Sequence, residues 1–143
     1  FNEQNMIWAK ELGYKTVFWS YAYQDWDNNN QMNEEKAIEK IQERTKDINH
    51  VNDFITSSSG MEKLDATCML LIAIGESIKG FDKVTNKQIL SKDKSIPWND
   101  IMGVRDIIAH HYFDIDAEEI FNIIKYDLEP LLYAIRELII KIS

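Results

Sequence analysis

The sequence predicts an all-α protein, a bundle of four amphipathic helices. Its 143 residues include only 5 Gly and 2 Pro, too few for the many tight turns of a β-sandwich or barrel. From residue 33 onward, apolar residues recur at spacings of three and four, which indicates amphipathic helices. Hydrophobic residues make up 45% of the chain and charged residues 28%, the balance of a globular domain. A chain of this length is enough for one well-buried domain.

Residues 1–31 differ in texture from the rest of the chain. They hold three of the four tryptophans, and their pattern predicts a short helix, Glu3–Leu12, followed by a strand-like run, Lys15–Tyr21. One helix and one strand cannot bury their own apolar faces. We therefore expect residues 1–31 to be an extraneous N-terminal segment and residues 32–143 to form the domain, with Met32 as a natural start position.

The first helix of the domain is predicted over Asn33–Ile55, with Asn33 as its N-cap. A polar loop over residues 56–60 leads into a second helix, Met61–Ile78. This helix is apolar nearly all round between residues 66 and 74, so we expect it to be the most buried of the bundle. The segment Gly80–Ile96 is rich in Lys and Asp and is predicted to be a long connection.

The third helix is predicted to begin at Pro97, a residue suited to the first turn of a helix. Residues 113–116 interrupt it. Asp116, with Glu119 three residues later, predicts a capping-box-like start for the fourth helix. Pro130 lies inside that last helix and is expected to kink it, because proline lacks a backbone N–H and crowds the preceding turn.

Charge and composition exclude several classes of protein. A net charge of −8 argues against a broad basic surface for nucleic acid or membrane. A single cysteine, Cys68, excludes an intrachain disulfide. No apolar stretch reaches the roughly 18 to 20 residues of a transmembrane helix, and the N-terminus lacks a signal-peptide pattern. Phosphate-binding glycine loops and metal-ligand spacings are missing from the sequence. We therefore expect a cytoplasmic protein without membrane contact, resident cofactor or metal.

One dense cluster of reactive side chains falls at the end of the third helix: Arg105, Asp106, His110, His111 and Tyr112. Asp106 and His110 are four residues apart and can meet on one face, where the carboxylate would orient the imidazole. Arg105 and His110, five residues apart, diverge by about 140° on an ideal helix. If both serve one reaction, either the helix breaks before His110 or two chains each contribute a motif to one site.

The chemistry of this cluster suits RNA cleavage without a metal. Arginine offers a planar fork of donors to a phosphate, and histidine exchanges protons near neutral pH. Together they could promote attack of the ribose 2′-OH on the adjacent phosphate.

The same residues also have plainer interpretations. Arg105 and Asp106 could form a solvated ion pair, His111 could be a histidine at the core boundary, and Tyr112 could be a packing aromatic. The remaining histidine, His50, is expected on the surface.

Residues 105–112, Arg-Asp-Ile-Ile-Ala-His-His-Tyr, resemble the R-x-x-x-x-H-x-Y signature of the HEPN superfamily, in its HepT-like toxin branch. Ile74–Ser77 resembles the family's "IGEA" element, and Ile96–Val104 resembles its "PW…I.G.R" lead-in. The series of elements covers about residues 32–143, in order and at sensible spacing.

The resemblance implies an all-α HEPN fold, a four- to five-helix up-and-down bundle, and a homodimer whose two motifs face one cleft. It also implies a metal-independent endoribonuclease toxin that cleaves RNA such as tRNA or mRNA, with a minimal nucleotidyltransferase as its antitoxin. By position, Arg105 and His110 would be catalytic, and Asp106 would be the polar residue that follows the arginine. Tyr112 would be the tyrosine that the antitoxin adenylylates, while His111 inherits no role.

Residues 1–31 resemble an interior piece of a NodB-type polysaccharide deacetylase, but they contain no histidine for its Asp-His-His metal site. We therefore interpret them as an upstream translated or fused fragment. Two alternatives to the toxin hypothesis stay open. One is a non-catalytic HEPN partner or substrate-binding subunit of a nucleotidyltransferase, and the other is a deacetylase remnant with affinity for glycans.

Overall fold

The computed structural model of the chain describes residues 34–110 and 115–142. Residues 1–33, with the predicted helix, strand and N-cap Asn33, lie outside the described residues, as do residues 111–114 and 143. The helices are α1 (Glu34–Arg44), α2 (Asn52–Ile55), α3 (Ser58–Val84), α4 (Trp98–His110), α5 (Ala117–Asn122) and α6 (Leu128–Ile142). No residue in these two ranges is in a β-strand. The predicted all-α fold is confirmed.

Helix α3 lies at the centre of the bundle. It contacts α1, α2, α4 and α5, and it buries Leu64, Cys68, Leu71, Ile74 and Ile78 at helical spacing. Each such aliphatic side chain contributes about 1.5–3 kcal/mol when it is removed from water. The prediction that this is the most embedded helix is confirmed, except that Met69 points outward and is 51% exposed.

The prediction of one helix over Asn33–Ile55 is wrong, because α1 ends at Arg44 and the chain turns before α2 begins. The Thr45 hydroxyl donates a hydrogen bond to the Ile41 carbonyl oxygen at 2.8 Å, a side-chain bond of the kind that competes with helix continuation. Ile48 from the turn and Phe54 from α2 are both buried. The apolar spacing therefore continued through a segment that reaches the core without being helical.

The turn before α2 is held by Asp53. Its carboxylate accepts hydrogen bonds from the backbone N–H groups of His50, at 2.9 Å, and Asn49, at 2.8 Å. These bonds favour the ionised form and lower the pKa of the Asp53 carboxyl. A residue in the first turn of α2 thus provides an acceptor for two backbone donors of the turn that precedes this helix.

Helix α3 is longer than the predicted Met61–Ile78 at both ends. Ser57 is its N-cap, and the Ser57 hydroxyl accepts a hydrogen bond from the Gly60 N–H at 3.0 Å. Gly60 is required here, since a Cβ would lie 2.0 Å from the Asp53 carbonyl oxygen. The predicted connection is accordingly shorter than Gly80–Ile96, and it contains a 3₁₀ turn at Leu90–Lys92.

The predicted starts of the last two long helices agree with the structure. Pro97 directly precedes α4, and its carbonyl oxygen accepts hydrogen bonds from the N–H groups of Asp100 and Ile101. Asp116 is the N-cap of α5, and its carboxylate accepts from the N–H groups of Glu118 and Glu119. Both helix starts are confirmed. They depend on hydrogen bonds between residues that are close together in the chain, so the sequence was sufficient to predict them.

The predicted fourth helix is divided, because a π-helical segment, Ile123–Asp127, joins α5 to α6. The Leu128 N–H donates to the Ile123 carbonyl oxygen, five residues earlier. Pro130 lies within α6, three residues after this segment ends at Asp127, where a proline cannot donate to the Tyr126 carbonyl oxygen. The kink expected at Pro130 stays a prediction.

Helix α6 packs against α1. The Arg136 guanidinium joins the two helices through Glu35, at 2.5 Å, and Glu39, at 2.9 Å, and these carboxylates raise its pKa. None of the helices in the described part of the chain is long and apolar enough to cross a membrane.

Candidate active site

Helices α3 and α4 approach each other closely at Gly75. A Cβ added to Gly75 would lie 2.7 Å from the Ile101 carbonyl oxygen and 3.0 Å from the Val104 Cγ1 atom. No other residue could therefore occupy this position without moving one helix away from the other. Glu76 follows Gly75 on α3, and Arg105 follows Val104 on α4. Both residues therefore lie at the edge of this contact between the two helices.

Arg105 and Glu76 form an ion pair across this edge. The Arg105 Nη1 atom lies 3.4 Å from the Glu76 Oε2 atom, and the two side chains are 49% and 32% exposed. The other carboxylate oxygen, Oε1, is buried and has no hydrogen-bond partner among the residues that the structure describes. The partner that the structure shows for Arg105 is thus Glu76, 29 residues earlier in the chain, and not the neighbouring Asp106.

The two sides of α4 differ in exposure. Val104 and Ile108 are buried in the core, whereas Arg105, Asp106 and Ile107 are exposed. The predicted arginine therefore lies on the solvent-facing side of the helix, where a polymer could reach it.

Helix α4 is continuous through His110. Of the two arrangements that the sequence left open, a helix break before His110 is therefore excluded. On this helix, Arg105 and His110 are about 140° apart around the axis and about 7.5 Å apart along it. The structure does not bring them together on one face of a single chain. Asp106 is one turn before His110 and on the same side of the helix axis.

The other predicted site residues add less. Tyr112 and His111 lie outside the described residues. His50 is exposed, as predicted.

Burial raises the pKa of the Cys68 thiol to about 11, so this cysteine is protonated at neutral pH and is not a nucleophile. Within residues 34–110 and 115–142, no three His, Cys, Asp or Glu side chains form a cluster suited to a metal ion.

A surface cavity of about 480 Å³ lies at the start of α4. Its lining includes Lys87, Lys94, Asp82, Asp93 and Asp100. Because carboxylates and ammonium groups are mixed around it, its charge does not favour an anionic ligand. Arg105 and Asp106, the predicted site residues whose side chains the structure describes, do not line this cavity.

Glu76 is the site residue that the sequence analysis missed. It is an acidic residue within the buried run Leu71–Ile78, where a charge is costly unless it has a partner. An acidic residue among buried apolar residues was the signal in the sequence from which Glu76 could have been identified. Its partner could not be identified from spacing, because the contact depends on how α3 and α4 pack.

An all-α bundle that presents R-x-x-x-x-H on a solvent-facing helix has the architecture of a HEPN-type domain. The chain belongs to the HepT-like ribonuclease family, since the family model described as "Ribonuclease HepT-like" matches residues 35–138. The predicted family is confirmed. The predicted domain boundary between residues 31 and 32 stays a prediction.

The chain is similar to two proteins of Methanocaldococcus jannaschii. It is 34% identical over 96 residues to "Putative RNase MJ1380", covering 67% of this chain and 81% of that protein. It is 33% identical over 96 residues to "Gamma-glutamylcyclotransferase and putative RNase MJ0434", where the same share of this chain spans 40% of the relative's length.

A third relative is "Putative RNase TTE0752" of Caldanaerobacter subterraneus subsp. tengcongensis. It is 29% identical over 68 residues, which cover 48% of this chain and 57% of the relative. No solved structure matches the chain at a significant level.

Proposed function

We propose that the protein is a metal-independent endoribonuclease in which Arg105 and His110 are the catalytic residues. Membership of a ribonuclease family supports the reaction class. The observation that carries the assignment is the exposure of Arg105 on α4, one helix turn and a half before the end of that helix at His110. A guanidinium and an imidazole are the groups that phosphodiester cleavage requires when no metal takes part.

In this mechanism the ribose 2′-OH attacks the adjacent phosphorus atom and the bond to the 5′-oxygen breaks. An imidazole accepts the 2′-OH proton, and an imidazolium returns a proton to the departing 5′-oxygen. Arg105 donates hydrogen bonds to the phosphorane oxygens, where negative charge accumulates. The products are a 2′,3′-cyclic phosphate and a 5′-OH. Asp106, one turn before His110, favours the protonated imidazole and orients it.

The proposal places the active site between two copies of the chain. Because α4 is helical through His110, positions 105 and 110 lie about 140° apart around the helix axis of one chain. A two-fold homodimer with its two α4 helices side by side would set His110 opposite Arg105 of the partner subunit. This arrangement explains how an arginine and a histidine five residues apart on one helix could take part in the same reaction.

Cleavage of RNA in the presence of EDTA tests the reaction class. We expect the purified full-length chain to cleave a labelled transcript or total tRNA at the same rate with and without EDTA, and to leave 2′,3′-cyclic phosphate ends. Cleavage that EDTA stops and Mg²⁺ restores would contradict the metal-independent mechanism. Absence of cleavage with both RNA classes would favour the non-catalytic nucleotidyltransferase partner instead.

We further propose that the protein is the cytoplasmic toxin of a toxin-antitoxin pair and that a nucleotidyltransferase antitoxin adenylylates Tyr112. AMP on this tyrosine, seven residues after Arg105, would add bulk and negative charge near the guanidinium and compete with the RNA phosphate.

The adenylylation proposal predicts a discrete change in mass. Incubation with a minimal nucleotidyltransferase of the proposed antitoxin class and ATP should add one or more AMP groups, measured by mass spectrometry of the intact chain, and should stop RNA cleavage. Tyr112→Phe should cleave RNA, gain no AMP and resist the antitoxin, whereas Tyr133→Phe, at an exposed tyrosine of α6, should behave as the unaltered chain. AMP found on Tyr112→Phe would contradict the assignment.

A further inference from the structure

Arg105 is held from the side by a carboxylate on a different helix. Its Nη1 atom lies 3.4 Å from Glu76 Oε2, yet half of the Arg105 side chain is exposed. A guanidinium carries five N–H donors in a planar fork. A contact through one terminal nitrogen leaves the rest of the fork available to a phosphate.

The location of Glu76 is fixed by the backbone beside it. Gly75 packs against the Ile101 carbonyl oxygen and Val104 with no space for a Cβ. The distance between α3 and α4 is therefore set at Gly75 and Val104. These residues directly precede Glu76 and Arg105, the two members of the ion pair. The backbone position of Glu76 relative to α4 is therefore fixed. A fixed position of this kind is the condition for orienting the flexible side chain of Arg105.

Glu76 is poorly placed to stabilise the fold. Within the described ranges 34–110 and 115–142 its Oε1 atom is buried without a hydrogen-bond partner, and its Oε2 atom has an ion-pair contact at 3.4 Å with a half-exposed arginine. A buried carboxylate oxygen without a donor lowers the stability of the fold, and a partly exposed ion pair contributes little stability to offset this loss. Residues that cost stability and nevertheless occupy a site are typical of functional positions.

We infer that Glu76 is the positioning residue of Arg105: it holds one guanidinium nitrogen at the α3–α4 edge and so aims the remaining donors at the scissile phosphate. This inference rests on the proposed ribonuclease function, with Arg105 as the catalytic arginine. Glu76 does not contact the substrate, since its inner oxygen is buried and its outer oxygen faces Arg105. It acts through the orientation of Arg105.

The test is Glu76→Gln, which keeps the shape of the side chain and removes its charge. We expect kcat for a defined RNA to fall by about 10- to 100-fold, the scale of a misplaced catalytic group, with KM within about 3-fold. The Tm should stay within about 3 °C of the unaltered chain, because the lost carboxylate was under-satisfied. The matched control is Glu62→Gln, at an exposed glutamate of the same helix, which should leave kcat unchanged.

Two further measurements separate positioning from a structural role. Glu76→Asp keeps the charge and should recover part of the lost kcat. Glu76→Gln should lower kcat when Arg105 is present, but it should have no further effect on the residual kcat in the Arg105→Ala background. If Glu76→Gln folds poorly, Glu76→Asp and the same double-mutant cycle built with Glu76→Asp decide the question.

The inference is overturned if Glu76→Gln keeps its kcat or gains activity, or if Glu76→Gln lowers kcat by the same factor with and without Arg105. Failure of the proposed function gives a different result, because the unaltered chain would then cleave no RNA, or Arg105→Ala would cleave RNA as well as the unaltered chain does. An inactive Arg105→Ala together with a fully active Glu76→Gln would retain the function and reject the positioning role.

Discussion

Replacing Arg105 with alanine is expected to lower the rate of RNA cleavage by about 10²- to 10³-fold, the cost of removing one donor that stabilises transition-state charge. The side chain is half-exposed and its ion pair with Glu76 is solvent-accessible, so the fold should be little affected. Arg44→Ala, at an exposed arginine at the end of α1, is the matched control. Single-turnover cleavage assays beside thermal unfolding measure both quantities.

The same assay applies to His110→Ala, for which loss of acid-base catalysis predicts a fall of about 10²- to 10⁴-fold. His50→Ala, at an exposed histidine, is its control. Full activity of both Arg105→Ala and His110→Ala would rule out the mechanism, whatever the family.

The two inactive variants together test whether the site is shared between chains. In a site built from Arg105 of one subunit and His110 of the other, a dimer of Arg105→Ala with His110→Ala contains one intact site and one doubly defective site. After random exchange of subunits, about half of the dimers are mixed, so the mixture should recover about a quarter of the unaltered activity. If each chain used its own Arg105 and His110, mixing would recover nothing.

Gly75→Ala is expected to affect both stability and activity. The added methyl group would lie 2.7 Å from the Ile101 carbonyl oxygen and 3.0 Å from Val104, so α3 and α4 must separate locally. Overpacking of this kind costs about 1–3 kcal/mol, a decrease in Tm of about 5–15 °C for a domain of this size. The separation would also move Glu76 away from Arg105 and lower kcat in the protein that stays folded.

The control for Gly75→Ala is Gly80→Ala on the same helix. Nothing lies within 4 Å of a Cβ at Gly80, and alanine is a better helix former than glycine by up to about 1 kcal/mol. We therefore expect Gly80→Ala to be neutral or stabilising. If Gly75→Ala unfolded at the same temperature as Gly80→Ala, the close approach of α3 and α4 would not be a requirement of the fold.

Local signals in the sequence were sufficient for several elements. Asp116 as the N-cap of α5 and Pro97 before α4 were both predicted, because a cap depends on residues that are adjacent in the chain. The first helix was overextended for a different reason. Ile48 and Phe54 continue the apolar spacing beyond Arg44, but periodicity reports which residues are buried and does not require the backbone between them to be helical.

The sequence by itself determined the all-α class, the family and the cluster of residues 105–112 as the candidate site, because composition, periodicity and a short motif are local properties of a chain. Only the tertiary structure decided that α4 stays helical through His110 and that Glu76 is the partner of Arg105. That contact joins residues 29 positions apart, and it exists because Gly75 lets two helices approach more closely than any side chain would allow. Close packing between distant segments is a property of the folded chain.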